Sequence, residues 1–249
     1  RQFNTTLVMY RIGNTIIDAG PPNQWHYVRQ FLSEKPCQRV LITHHHEDHS
    51  GNGRFIQTTF DAPVMAPASG QKLISDGYPL QFYRRVIWGK PPLFEAEPLP
   101  EVVDLDGGLT VHSLAAPGHS EDMTCLWIPE RGWMFGGDIF VSGKPRFSRQ
   151  DEDQNLEIES LRKILNYEFD TLFCGHRGVV KNGYREIKKK LDYLESLKEQ
   201  VQELYYSGES VEEIRNRILG KEGWMSWVTA FHFSKENIIR AFVKEEKLI

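Results

Sequence analysis

Short apolar runs separated by turn residues fill the first part of the chain. In TTLVMYRIGNTIIDAGPP (5–22), β-branched and aromatic positions flank Gly13-Asn14, a pair that readily adopts the positive φ angles of a tight hairpin, so strand, turn and strand are predicted. Trp25, Val28, Phe31 and Leu32 then share one face at helical spacing, which predicts a helix over 24–34, and RVLIT (39–43) reads as a short buried strand. A second β-rich group follows in LTVHSLAAPGHS (109–120), MTCLWIP (123–129) and GWMFGGDIF (132–140), the last two joined by a turn at Glu130-Arg131-Gly132. NLEIESLRKIL predicts a helix and FDTLFCGH a further strand. Beyond Gly183 the pattern is helical throughout. Ile187, Leu191, Leu194, Val201 and Tyr205 recur at helical spacing, Ser210 and Glu213 form a capping box, and Ser234 caps a last helix carrying Ile238, Ile239 and Phe242. Two β-rich groups with helices around them predict an α/β architecture of stacked sheets covered by helices.

Length refines this picture: 249 residues bury one large core plus a small appendage, here a main domain over 1–182 and a helical extension over 183–249. A net charge of −4 gives no long-range attraction for nucleic acid. Cys37, Cys125 and Cys174 are odd in number and lack paired spacing, which reads as buried thiols of a reduced, cytoplasmic chain. No apolar run approaches the roughly 18 residues of a membrane span, and the start lacks a secretory pattern, although a chain beginning at Arg1 leaves a removed leader open.

The chemistry concentrates in THHHEDHSGNG (43–53), directly after a predicted strand, where a rigid element aims the side chains of a loop. Imidazole nitrogens and carboxylate oxygens suit zinc and related divalent cations. In an extended segment residues two apart point the same way, so His44 and His46 can share one ion while His45 is directed elsewhere; Asp48 and His49, beyond the bend, can serve a second. One loop rarely encloses a metal, and three further candidates stand at strand ends beside glycine: His119 in APGHS, Asp138 in FGGDIF and His176 in FCGHRG. Any one alone is an ordinary turn residue. His26, His112 and His232 lie in periodic segments and read as packed or surface imidazoles.

These residues resemble the His-x-His-x-Asp-His signature of the metallo-β-lactamase-fold hydrolases, present as His44, His46, Asp48 and His49 and continued by His119, Asp138 and His176 in the family's order; IIDAG, with Asp18, resembles its first motif. The resemblance covers about residues 5 to 180 and implies an αββα sandwich with a dinuclear site at one edge. It further implies that metal one takes His44, His46 and His119, metal two takes Asp48, His49 and His176, and Asp138 bridges. The cofactors are then two divalent metal ions, Zn2+ first, with iron or manganese as alternatives. Two such cations about 3.5 to 4 Å apart generate a bridging hydroxide as nucleophile. Asp48 is expected to orient it and pass its proton to the leaving group, while Asp18 is expected to organise a loop without touching metal.

The substrate must be sought elsewhere. DGYPLQFYRRVIWGKPPLF (76–94), aromatic and basic together, either roofs the site or packs beneath a surface loop. Lys144, Arg146 and Arg149 follow Asp138 with no acid among them, and Arg177 follows His176; all four are candidate contacts for an anionic small-molecule substrate. The leading expectation is hydrolysis of a small ester, thioester or lactone, similar to glyoxalase II, although no match to that enzyme's glutathione-holding residues stands out in the tail. The alternative is phosphodiester cleavage in RNA, weakly supported by Lys188-Lys189-Lys190, a run that equally serves as a solvated face. A diiron redox role resembles the flavodiiron branch, which typically has a carboxylate where this chain has His46. Trp224 and Trp227 dock the tail either on the main domain or on a second subunit, which would make a homodimer.

Overall fold

The computed structural model describes residues 6–243. Its first sheet runs in the order β1 (Tyr10–Ile12), β2 (Thr15–Ile17), β3 (Arg39–Leu41), β4 (Val64–Ala66) and β5 (Glu97–Pro98). The β1–β2 hairpin is antiparallel, with Ile12 opposite Thr15 across Gly13-Asn14, and every later pair in the sheet is parallel. Parallel pairing needs crossovers, supplied by α1 (Trp25–Ser33) and α3 (Gly53–Phe60), which follows the single turn α2 (Glu47–Ser50); α4 (Ala68–Asp76) and α5 (Phe82–Ile87) complete this half.

The second sheet gathers β6 (Val102–Leu105), β7 (Leu109–Ala115), β8 (Thr124–Ile128), β9 (Trp133–Gly137), β11 (Thr171–Cys174) and β12 (Gly178–Val180); β10 (Ser148–Arg149) lies outside it. Only β9–β11 pair in parallel, across the connection that contains α6 (Gln154–Ile164). Then come α7 (Gly183–Tyr206), α8 (Val211–Ile218), α9 (Trp224–Val228), β13 (Phe233–Ser234) and α10 (Lys235–Val243).

Strand alternation divides the interior into three cores. Ile17, Leu41, Val111, Leu126 and Phe135 meet between the sheets. Ile16, Val40 and Val64 face the other way, against Val28 and Leu32 of α1 and Ile56 of α3. Beneath the second sheet, Leu114, Cys125, Met134 and Leu172 pack on α6, α7, α8 and α10. The layers are therefore helix, sheet, sheet, helix, the αββα order expected, with the C-terminal helices contributing to the outer core.

The expected hairpins, α1, α6, the capping box of Ser210 with Glu213 and the cap of Ser234 on the amide of Asn237 all appear at the expected positions. Three expectations change. The tail is not wholly helical, because Ser148 and Arg149 of β10 pair with Ser234 and Phe233 of β13. Tyr205 lies at the solvent side of α7, 42% exposed, and Cys37 is only half-buried, since it sits in the loop before β3.

Candidate metal centre

Every residue of the centre hangs from a strand end or the turn after it. His44 and His46 leave β3, and Asp48 and His49 lie on α2, whose first residue follows His46. His119 follows β7, Asp138 follows β9 and His176 follows β11, so both sheets deliver side chains to one edge of the sandwich. The glycine before His119 is required: Gly118 has φ +143, and a Cβ there would stand 2.6 Å from the Cα of Glu157. Gly137, before Asp138, has φ +47 and passes against Thr43, where a Cβ would meet the hydroxyl oxygen at 2.9 Å.

Three sets of ligand atoms converge within 4.8 Å: His44, His46 and His119; His44, His49 and Asp138; Asp48, His49 and His176. In most of the histidines one ring nitrogen is engaged from outside while the other faces the cluster, the arrangement that orients metal-ligating imidazoles. His49 Nδ1 lies 2.8 Å from Asp18 Oδ2, His119 Nδ1 lies 3.1 Å from Glu152 Oε1, and His44 Nδ1 lies 3.1 Å from the Thr43 hydroxyl. His176 Nδ1 donates to the Thr6 carbonyl at 2.7 Å. On the inner side, His176 Nε2 lies 3.1 Å from Asp138 and 3.3 Å from Asp48, and His119 Nε2 lies 3.2 Å from Asp138. His44 Nε2 is buried without a hydrogen bond among the described residues, and the buried His49 Nε2 and Asp138 Oδ1 face each other, 3.3 Å apart. Unsatisfied buried polar atoms are costly and rare, and the bare His44 Nε2 beside the buried His49–Asp138 pair fits a cation-binding centre.

The electrostatics agree with that fit. Burial opposes charge on His49 and His176, yet the carboxylates outweigh it. Asp18, Asp138 and Asp48 raise His49 well above its ordinary value, and Asp138 and Asp48 push His176 up to about 11. His44 and His46 move the other way, lowered by burial and then by His49 and by Arg149 respectively. Burial likewise opposes charge on Asp48 and Asp138, but His49 and His176 hold both below the usual carboxylate range. The field that keeps protons on His49 and His176 favours any cation placed among these carboxylates.

Further residues surround the cluster, and of these Thr43, Glu47 and Glu152 were not singled out from sequence. Asp18, at φ +62, accepts the amide of Thr43 at 2.8 Å as well as facing His49. His45 turns away from the cluster, its Nδ1 2.7 Å from Asp122. Glu47, inside the histidine motif, is fully buried and takes two hydrogen bonds from Arg84 and one from Tyr78, tying α5 to the metal loop. An acid inside such a motif was the available signal; its burial was not visible. His232 is buried outside the cluster, 3.0 Å from the Tyr83 hydroxyl.

A cavity of about 440 Å³ opens over the centre. Tyr83, Arg84, Ile87 and Trp88 of the 76–94 segment line it, so that segment does wall the site, and Phe147, Met225 and Phe233 close it from the loop after Asp138 and from the tail. Lys144, Arg146 and Arg149 also line it. Arg149 goes deepest, its Nη2 2.9 Å from His119 Nε2 and 3.4 Å from His46 Nε2, while Arg146 is committed to the Leu219 carbonyl. Arg177 is exposed, lies over the Phe140 ring at 5.9 Å and is absent from the lining. The lysine run gives little basic surface, since Lys188 and Lys189 pair with Asp192 and Glu186 and Lys190 is buried against Glu157. Among the described residues no helix is long and apolar enough to cross a membrane.

Residues 2–176 match the family model of the Metallo-beta-lactamase superfamily. A hydroxyacylglutathione hydrolase of Bdellovibrio bacteriovorus is 31% identical over 172 residues, 66% of this chain and 57% of that protein. An atrochrysone carboxyl ACP thioesterase of Aspergillus fumigatus is 25% identical over 202 residues, 80% of this chain and 58% of its own length. The chain thus spans somewhat over half of each. Among solved structures, a metallo-beta-lactamase family protein from Thermus thermophilus superposes with a TM-score of 0.70 at 16% identity, covering 95% of this chain and 87% of that one.

Proposed function

This chain belongs to the metallo-β-lactamase superfamily, and we propose that it is a dinuclear metal-dependent hydrolase of small acyl compounds, thioesters first among them. The carrying observation is the convergence of seven candidate ligand side chains, with His44 Nε2 buried and unpartnered among them, at the floor of a cavity walled by aromatic and cationic residues. His44, His46 and His119 would hold one cation and Asp48, His49 and His176 the other, with Asp138 between them. Zinc suits this nitrogen and oxygen set best, iron and manganese being the other divalent candidates. Such cations supply a water acidic enough to lose its proton near neutral pH and a Lewis-acid contact for a carbonyl oxygen.

The chain's own residues do the rest. Asp48 is ionised, lines the cavity and reaches His176 at 3.3 Å, which fits a group that takes a proton at the floor and returns it to a departing thiol or alcohol. Lys144 and Arg149 offer charge to an anionic substrate, and Trp88 and Phe147 keep water from the acyl group. Preference for an acyl substrate is supported by the two relatives, one named for an acyl-glutathione and one for a carrier-bound thioester. The test is a panel of thioesters, esters, lactones, phosphodiesters and short RNA run on zinc-loaded protein beside Asp48→Ala and His119→Ala. Thioester turnover that falls about a hundredfold or more in both variants is expected. Full activity in both, or turnover confined to RNA, overturns the reading.

A further inference from the structure

A second cavity, of about 710 Å³, lies between the segment 6–9, α1 and the end of α5. It shares a wall with the first: Ile87 and Trp88 line both, and the Trp88 ring centroid is 5.9 Å from that of His176. The two differ in chemistry. Glu47, Asp48, Arg84 and Arg149 line the first, whereas none of the described residues lining the second carries a charge. Leu7, Val8, Met9, Val28 and Phe31 give it an apolar surface. An ionised group moved into such surroundings loses its hydration without a partner, so the groove selects an uncharged, apolar ligand portion. Its volume falls within the roughly 300–1,000 Å³ of small-molecule sites.

We propose that this groove receives the alkyl chain of an acyl substrate whose carbonyl lies at the metal centre, so that the preferred acyl group is long enough to pass Trp88. The proposal rests on the acyl-hydrolase reading above and gives it a specificity. The shared wall carries the argument: a ligand held at His176 meets Trp88 at once, and the uncharged surface beyond it is the continuation an alkyl chain can use.

Binding is measured apart from turnover, by titrating the zinc-loaded protein with unbranched carboxylates from acetate to dodecanoate in a calorimeter. Affinity is expected to rise by up to about fourfold per methylene once the chain passes Trp88. Leu7→Glu and Tyr27→Glu place charge in the groove at positions outside the buried cores, Tyr27 being 67% exposed. Both should flatten that rise while leaving acetate affinity, zinc content and melting temperature as in the parent. Equal affinity for all lengths in the parent, or an undiminished rise in both folded variants, overturns the groove. Length-dependent binding without thioester turnover keeps the groove and removes the hydrolase reading; turnover of short thioesters without length dependence does the reverse.

Discussion

Arg149 places a guanidinium where the first of the proposed cations would lie. Its Nη2 stands 2.9 Å from His119 Nε2 and 3.4 Å from His46 Nε2, atoms that also belong to the three-histidine ligand set. Two cations cannot share that space, so loading this half requires the side chain to swing into the cavity it already lines. Glu152 balances the guanidinium at 3.3 Å and is itself held down to about 2 by Arg149 and His119 against the cost of burial. Replacing the charge with Arg149→Met should therefore raise zinc affinity of this half by roughly tenfold, about 1.4 kcal/mol, while an anionic substrate binds with a higher KM. Competition against a chromophoric chelator reads the first effect and steady-state kinetics the second. Unchanged zinc affinity would mean that the guanidinium already stands clear of the ligands.

Among elements, α7 couples the loops that carry His119 and Asp138. Lys190 donates to Glu157 of α6 at 2.5 Å and to the carbonyl of Ile139, next to Asp138, at 2.7 Å; Glu157 in turn packs against Gly118. Lys190→Met strands a buried carboxylate and should cost about 3–5 kcal/mol, read as a lower urea midpoint, with much of the loss recovered in Lys190→Met/Glu157→Leu. A single variant as stable as the parent would sink the idea that this pair is buried and coupled. Lys190 also shows what the chain did and did not reveal. It stands three residues after Ile187 and four before Leu194, so the helical period already placed it on the buried face; only its membership of a lysine run hid that. The strands flanking turns were legible because Gly13-Asn14 and Glu130-Arg131-Gly132 interrupt clear apolar runs. β4, β5, β12 and β13 were not, since no longer apolar run flanks their two or three residues, and only pairing with β3, β4, β11 and β10 in the folded sheets defines them.

At the scale of the whole molecule, the converging cluster of candidate ligands was legible because metal chemistry restricts such groups to a few residue types at strand ends, whereas the cavity was not, because Tyr83, Phe147 and Phe233 become neighbours only through tertiary packing. The folded chain also sets the pH at which its centre fills. Burial keeps His44 and His46 neutral at neutral pH, so they bind a cation without releasing anything. His176 differs: Asp138 and Asp48 overcome burial and hold its proton up to about pH 11, and His49 is raised in the same direction. A nitrogen cannot keep that proton and ligate a metal, so loading at pH 7.5 must expel at least one proton. Lowering the pH therefore favours the protonated, metal-free form. From pH 7.5 to 6.0 each expelled proton reduces zinc affinity by about thirtyfold, whereas a histidine of ordinary pKa would give about fourfold. Calorimetry in buffers of different ionisation enthalpy counts the protons, and the affinity measured at the two pH values checks the slope. A fourfold change with less than one proton released would show that the carboxylates around His176 do not hold its proton in solution.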